Sequence, residues 1–261
     1  MSEREWIHGQ CVGCPVPAEC ARRCPDLLED LAALRLGWLP GGRLPAKPED
    51  LAPLIDHTIL MPEATRAVIE RACLDAVKWG FASVCVNSSW IATVARELRG
   101  TRVRPCATVG FPLGAGATAA KVAEARDAAE NGATELDVVI NVGLVRSGEA
   151  IEARDDMRAV VRAVPGVTVK AILETCCLSQ ENKARAARLA LDAGAHFLKT
   201  TTGFGPGGAN LRDVALLRKI AGSGAGVKAS GGIRDRAFAM ELLKHGASRV
   251  GSSASVKLMK A

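Results

Sequence analysis

The sequence predicts an α/β fold of the (β/α)8 TIM-barrel class behind a short, cysteine-containing N-terminal extension. Three observations carry that expectation. Short apolar runs alternate with longer amphipathic segments from about residue 50 to the C-terminus, which is how successive βα units read. Four joins share one chemistry: Gly80-Phe81, Gly132-Ala133, Gly194-Ala195 and Gly246-Ala247 each follow a helical pattern and precede an apolar run. A glycine there supplies the left-handed residue that ends a helix. Finally, hydrophobic residues make up 48% of the chain while aromatics are 3% and tyrosine is absent. An interior of Ala, Val, Leu and Ile suits buried parallel strands better than a β-sandwich.

In chain order, residues 1–47 form the extension and 48–261 the barrel domain. The extension holds Cys11, Cys14, Cys20 and Cys24. Their spacing, C-x2-C followed by C-x3-C-P, resembles that of metal ligands without matching either the common zinc or the common iron–sulfur template, so the readings are a structural or regulatory metal and a tail of ordinary thiols. Residues 25–39 then read as an amphipathic helix, because Leu27, Leu31, Leu34 and Trp38 share a face that excludes Asp26, Glu29, Asp30 and Arg35. That stripe packs on its own barrel or a sister subunit, or docks on a protein partner. Pro40-Gly41-Gly42-Arg43-Leu44-Pro45 reads as a linker.

Strand-like runs follow near 53–59, 81–86, 103–109, 135–140, 167–173, 196–200, 225–229 and 248–252. Helix-like segments separate them, among them Glu63 to Lys78, Ala119 to Glu130, Glu181 to Asp192 and Arg234 to Lys244. Eight units in about 210 residues fit a small closed barrel, with a doubly wound open sheet as the alternative.

Composition narrows the function classes. The formal charge of +6 is spread along the chain without a basic block, so nucleic acid is not an expected partner. The N-terminus is polar and no apolar run approaches bilayer-spanning length, which predicts a cytoplasmic protein with no membrane partner. Nine cysteines in a reducing compartment are thiols or metal ligands rather than disulfides.

In such a barrel chemistry sits at the C-terminal ends of the strands. The polar residues expected there are Asp56 and His57, Cys85 and Asn87, Asp137 and Asn141, Glu174, Lys199, Lys228, and Gly251-Ser252-Ser253. Lys199 stands out, carried by an apolar run into Thr200-Thr201-Thr202-Gly203. A desolvated lysine sheds its proton, and its neutral amine attacks carbonyls to form a Schiff base. Lys228, ending the next strand, supplies a second ammonium to depress the pKa of the first. Asp137 is the carboxylate to move protons; the plainer alternative is a Lys228–Asp137 ion pair that merely orders the barrel. Backbone donors at Gly203, Gly231, Gly232, Gly251, Ser252 and Ser253, with a short helix after Ser253, form a cradle for a phosphate. Lys170 and Glu174 alternate on strand five and are expected to pair behind Lys199. Cys85, Cys176 and Cys177 read as small apolar residues at strand ends, with reactive thiols as the alternative, and His57 as a hydrogen-bonding scaffold residue beside Asp56.

These residues carry a resemblance. From about residue 50 onward the chain resembles the deoxyribose-phosphate aldolases, a family of class I aldolases. The likeness rests on Leu54-Ile55-Asp56-His57-Thr58, Ser83-Val84-Cys85-Val86-Asn87, Val109-Gly110-Phe111-Pro112-Leu113-Gly114, residues 131–141, Ile172-Leu173-Glu174-Thr175-Cys176, residues 197–208 and residues 227–234, in family order. It implies a TIM barrel that interconverts 2-deoxy-D-ribose 5-phosphate with D-glyceraldehyde 3-phosphate and acetaldehyde, with no cofactor for catalysis and a homodimeric assembly. It implies Lys199 as the Schiff-base lysine, Lys228 as its tuning neighbour, Asp137 as the proton relay, and Gly203, Gly232, Gly251 and Ser253 on the phosphate side. Ala254, Asn87-Ser88-Ser89 and Cys177 depart from the family pattern and bear on substrate preference. The competing readings are another lysine-dependent aldolase, and an inactive barrel serving as a metal-binding scaffold or sensor.

Overall fold

The structure is a computed structural model that describes Leu39 and residues 42–260. Cys11, Cys14, Cys20 and Cys24 and the stripe from Leu27 to Trp38 lie outside the described residues.

Eight parallel strands close into a barrel in sequence order. They are β1 (Ile55–Ile59), β2 (Ser83–Val86), β3 (Arg104–Val109), β4 (Glu135–Val139), β5 (Thr168–Ile172), β6 (Phe197–Lys199), β7 (Gly226–Ser230) and β8 (Arg249–Ser252). The closed barrel, not the open sheet, is therefore the fold. A short α1 (Pro48–Leu51) precedes it, and the connecting helices are α2 (Arg66–Trp79), α3 (Ile91–Glu97), α4 (Thr118–Glu130), α5 (Val142–Ser147), α6 (Ala150–Ala163), α7 (Gln180–Asp192), α8 (Leu211–Ala221), α9 (Arg236–Lys244) and α10 (Ser255–Lys260).

Boundaries depart from expectation where local chemistry intervenes. The first strand starts at Ile55 rather than residue 53, because Ala52–Leu54 form a 3-10 turn around Pro53, which lacks the N–H a ladder needs. Gly80, Gly132, Gly194 and Gly246 all hold positive φ, between 70° and 111°. At Gly80 the amide reaches back to the carbonyls of Ala76 and Val77, ending α2.

Strand alternation sorts the side chains into two compartments. Leu136, Val138, Val169, Ala171, Leu198, Val227, Ala229 and Val250 face the helices and join one aliphatic core. Each leucine or valine among them stabilises the fold by about 1.5–3 kcal/mol when fully buried, and each alanine by about 0.8 kcal/mol. The residues between them meet inside the barrel: Asp137 contacts Lys170, Lys199 and Lys228 from three other strands. Register sets their level, pairing Asp137 with Lys170 and Lys199 with Lys228 on adjacent strands.

Candidate active site

Lys199 is the last residue of a three-residue strand, so its stem is fixed by the ladder while the chain beyond it is free to turn into a loop. Its Nζ lies 2.6 Å from Asp137 Oδ2, and Lys228 Nζ lies 2.6 Å from the same oxygen. Lys170 Nζ takes the other oxygen at 2.8 Å. Thiols complete the shell, Cys106 Sγ at 3.4 Å from Oδ1 and Cys85 Sγ at 3.7 Å from Oδ2.

A second tier lies below. Asp56 pairs with Lys228 at 2.5 Å and with Arg249 at 2.6 Å, and Glu135 with Lys170 at 2.6 Å. Asp56, Glu135, Asp137, Lys170, Lys199, Lys228 and Arg249 are all buried. Charges in such a place persist only when paired and hydrogen-bonded. Burial pushes Asp137 towards its neutral form, but the ammonium groups of Lys170, Lys199 and Lys228 outweigh it and hold the carboxyl well below the usual range. Burial likewise opposes charge on Lys228 and Lys170, yet Asp137 and its fellow carboxylates raise both above the ordinary lysine value. Asp56 is held ionised against burial by Arg249, Lys228 and Lys170. Lys228 is thus a standing cation beside Lys199.

Donor atoms of Cys85, Cys106 and Asp137 lie within 4.8 Å of one another, a set that would otherwise suit a soft metal. Both Asp137 oxygens already accept from ammonium groups, and a further cation there meets three like charges. The residues present therefore fit a proton-handling cluster better than a metal cage.

A cavity of about 540 Å³ opens over Lys199 at the C-terminal end of the barrel. Gly203, Gly231, Gly232, Gly251, Ser252 and Ser253 all line it, so the residues expected to cradle a phosphate share one wall with the lysine. Gly203, Gly232 and Ser253 are its exposed members. Ser252 is committed elsewhere: its hydroxyl donates to the Ile233 carbonyl at 2.7 Å and accepts from the Ala254 amide. Gly251 has a further reason to lack a side chain, because a Cβ there would lie 3.0 Å from Cε of Lys228. At Gly231, with φ 99°, a Cβ would meet Thr201 Oγ1 at 2.3 Å.

Several contributors escaped sequence reasoning. Glu135, Cys106 and Arg249 face the interior; the alternation Glu135-x-Asp137 was the available signal for the first. The hydroxyls of Thr200 and Thr201 both donate to the Ser230 carbonyl, and Ser230 Oγ donates back to Thr201, tying the end of β6 to the end of β7. Two expectations need correction. Lys170 and Glu174 do not pair, because Lys170 is drawn into the barrel by Asp137 and Glu135 while Glu174 turns upward to Thr202. His57 does not act beside Asp56: it stacks obliquely on Phe81, and its Nδ1 has no hydrogen-bond partner among the described residues, because successive strand residues face opposite ways.

Comparison with known proteins places the chain in a family. Residues 51–252 match the family described as DeoC/LacD family aldolase. A deoxyribose-phosphate aldolase of Geobacillus sp. is 48% identical over 212 residues, 81% of this chain and 95% of the relative. That of Caldanaerobacter subterraneus is 46% identical over 214 residues, 81% and 93% of the two chains. Among solved structures, the tetrameric deoxyribose phosphate aldolase of Aeropyrum pernix superposes with a TM-score of 0.79 at 31% identity, over 89% of this chain and 96% of its own. With a family model matching residues 51–252 of a closed barrel and relatives aligned along almost their whole length, the chain belongs to the DeoC/LacD aldolase family.

Proposed function

We propose that this protein is a class I aldolase cleaving 2-deoxy-D-ribose 5-phosphate to D-glyceraldehyde 3-phosphate and acetaldehyde, with Lys199 as nucleophile. The observation that carries the reading is the single Asp137 oxygen shared by Lys199 and Lys228 at the mouth of the barrel. The buried cluster contains three carboxylates, Asp56, Glu135 and Asp137, and four basic groups, Lys170, Lys199, Lys228 and Arg249.

The free amine attacks C1 of the open-chain sugar, and the carbinolamine loses water to give an iminium. Breaking the C2–C3 bond sends its electron pair into the iminium while the C3 hydroxyl loses its proton, releasing D-glyceraldehyde 3-phosphate. Protonation of the remaining enamine at C2 and hydrolysis return acetaldehyde and Lys199. Asp137 is the base side of the proton relay and the ammonium groups on its oxygens are the acid side. The iminium supplies the electrophilic pull that a Lewis acid gives elsewhere. Gly203, Gly231, Gly232, Gly251 and Ser253 serve the phosphate through backbone amides.

The remaining assignments extend this reading. The barrel is residues 48–261 and the extension 1–47; Cys11, Cys14, Cys20 and Cys24 hold a zinc ion or iron–sulfur cluster, and the 25–39 stripe meets its own barrel, a sister subunit in a cytoplasmic homodimer, or a protein partner. Among the described residues no helix is long and apolar enough to cross a membrane. Metal analysis of the purified protein and its mass in solution test these points.

Borohydride reduction with acetaldehyde tests the chemistry: mass spectrometry is expected to find a reduced two-carbon adduct on Lys199. Turnover without an adduct at Lys199 would overturn the assignment. A panel of phosphorylated ketoses and aldoses separates this substrate from those of other lysine-dependent aldolases.

A further inference from the structure

Glu174 follows β5 with φ 51° and ψ 57°, the one non-glycine residue with positive φ among the described residues. In that left-handed region a side chain crowds its own backbone. Its carboxylate is buried, and the partners it meets are neutral. Thr202 N lies 3.3 Å from each oxygen, Thr202 Oγ1 donates to Oε2, and Cys176 Sγ lies 3.1 Å from Oε1. A buried carboxylate with only neutral donors carries a desolvation cost, and a strained backbone persists where the surroundings over-determine it. Both features serve one contact, the hold on Thr202.

That contact shapes the loop between β6 and α8. Thr202 Oγ1 also accepts from the Phe204 amide at 3.0 Å, which turns Gly203, with φ 84°, into the mouth cavity. Packing repeats the hold. A Cβ on Gly205 would lie 2.9 Å from Cys176 Sγ and 3.3 Å from Glu174 Cδ, and one on Gly207 would lie 3.0 Å from Cys176 Cβ. These two glycines let the loop rest on the turn that Glu174 begins.

We infer that Glu174 is a positioning residue that latches loop 202–208 over the mouth through Thr202, so that Gly203 stands ready at the phosphate end of the sugar. The inference rests on the aldolase reading above and adds how that site reads the phosphate. Glu174 itself does not touch Lys199; the latch acts on affinity for the phosphorylated end and leaves imine chemistry in place.

The test compares Glu174→Ala, Thr202→Val and the double variant. Three quantities are read: KM and kcat on 2-deoxyribose 5-phosphate, kcat/KM on unphosphorylated 2-deoxyribose, and the rate of borohydride trapping with acetaldehyde. Each single variant is expected to raise KM for the phosphorylated sugar about tenfold, with trapping within about threefold of wild type. The double variant is expected within about twofold of the worse single, since both remove the hydrogen bond from Thr202 Oγ1 to Glu174. Equal losses on the two sugars, unchanged KM, or additive effects would overturn the latch. Wild-type protein that traps no acetaldehyde would instead overturn the aldolase reading. Thr202→Val keeps the carboxylate and carries the test if Glu174→Ala does not fold.

Discussion

Lys199, at the end of its strand, and Lys228, in the middle of the next one rather than at its end as the sequence suggested, are paired in register and bring their Nζ atoms to one oxygen of Asp137, each at 2.6 Å. Like charges so close together repel, and the shared carboxylate holds them in place. Replacing Lys228 with leucine removes the standing cation while keeping a side chain of similar bulk. The expected outcome is a fall in kcat/KM of about 10²–10³, with acetaldehyde trapping at Lys199 slowed to match. Trapping at the wild-type rate would show that Lys228 has no part in activating the amine.

Gly251 is where the phosphate wall and the lysine cluster meet. A Cβ there would lie 3.0 Å from Lys228 Cε and 3.1 Å from Ser230 Cβ, and Lys228 can yield only by lengthening its contacts with Asp56 and Asp137. Gly251→Ala is expected to lower kcat about tenfold or more, since small displacements of catalytic groups are costly. Thermal unfolding should change far less. A loss confined to KM would assign Gly251 to phosphate contact alone.

His57 gives a pH signature separate from the active-site cluster. Burial lowers its pKa from 6.5 to about 4, with Asp75 opposing weakly. The unfolded chain therefore binds the proton more tightly, and stability falls as pH drops from 6.5 towards 4, by roughly 3 kcal/mol when complete. Above pH 6.5 this contribution is flat. His57→Phe, which fits the stacking partner Phe81 and removes the unpartnered nitrogen, is expected to abolish the slope in urea midpoints across that window. The depressed carboxylates Asp56 and Asp137 act lower, losing their contribution as pH falls below about 3.8.

Cys176 reports on the loop. Burial and the hydrogen bond to Glu174 push its thiol up to about 12, so it reacts slowly as thiolate at pH 8. Alkylation by iodoacetamide, followed by peptide mapping, is expected to be slow in wild type and at least about fivefold faster in Glu174→Ala. Equal rates would mean that loop packing rather than the carboxylate shields the sulfur.

The fold was legible because periodicity is a local property. Apolar runs such as Val138-Val139-Ile140 and the glycines at 80, 132, 194 and 246 mark where βα units begin and end wherever they lie in space. The lysines, Asp137 and the glycine-rich turns were legible for a related reason, since charge or bare backbone at the end of an apolar strand is costly without a use. What resisted was every relationship between strands far apart in the chain. Whether Lys170 would meet Glu174, four residues away, or Asp137, on the neighbouring strand, depends on where β5 ends, since Glu174 turns out of the strand, and on barrel closure. Closure also made Arg249 the partner of Asp56, 193 positions away.

The sequence by itself determined the eight βα units and nominated Lys199, Lys228 and Asp137, because alternation and polarity are written residue by residue. Only the tertiary structure decided that one carboxylate oxygen serves two lysines, that Gly251 makes room for Lys228, and that Glu174 holds Thr202. Those facts depend on distances of a few ångströms between separate strands, which closing the sheet creates.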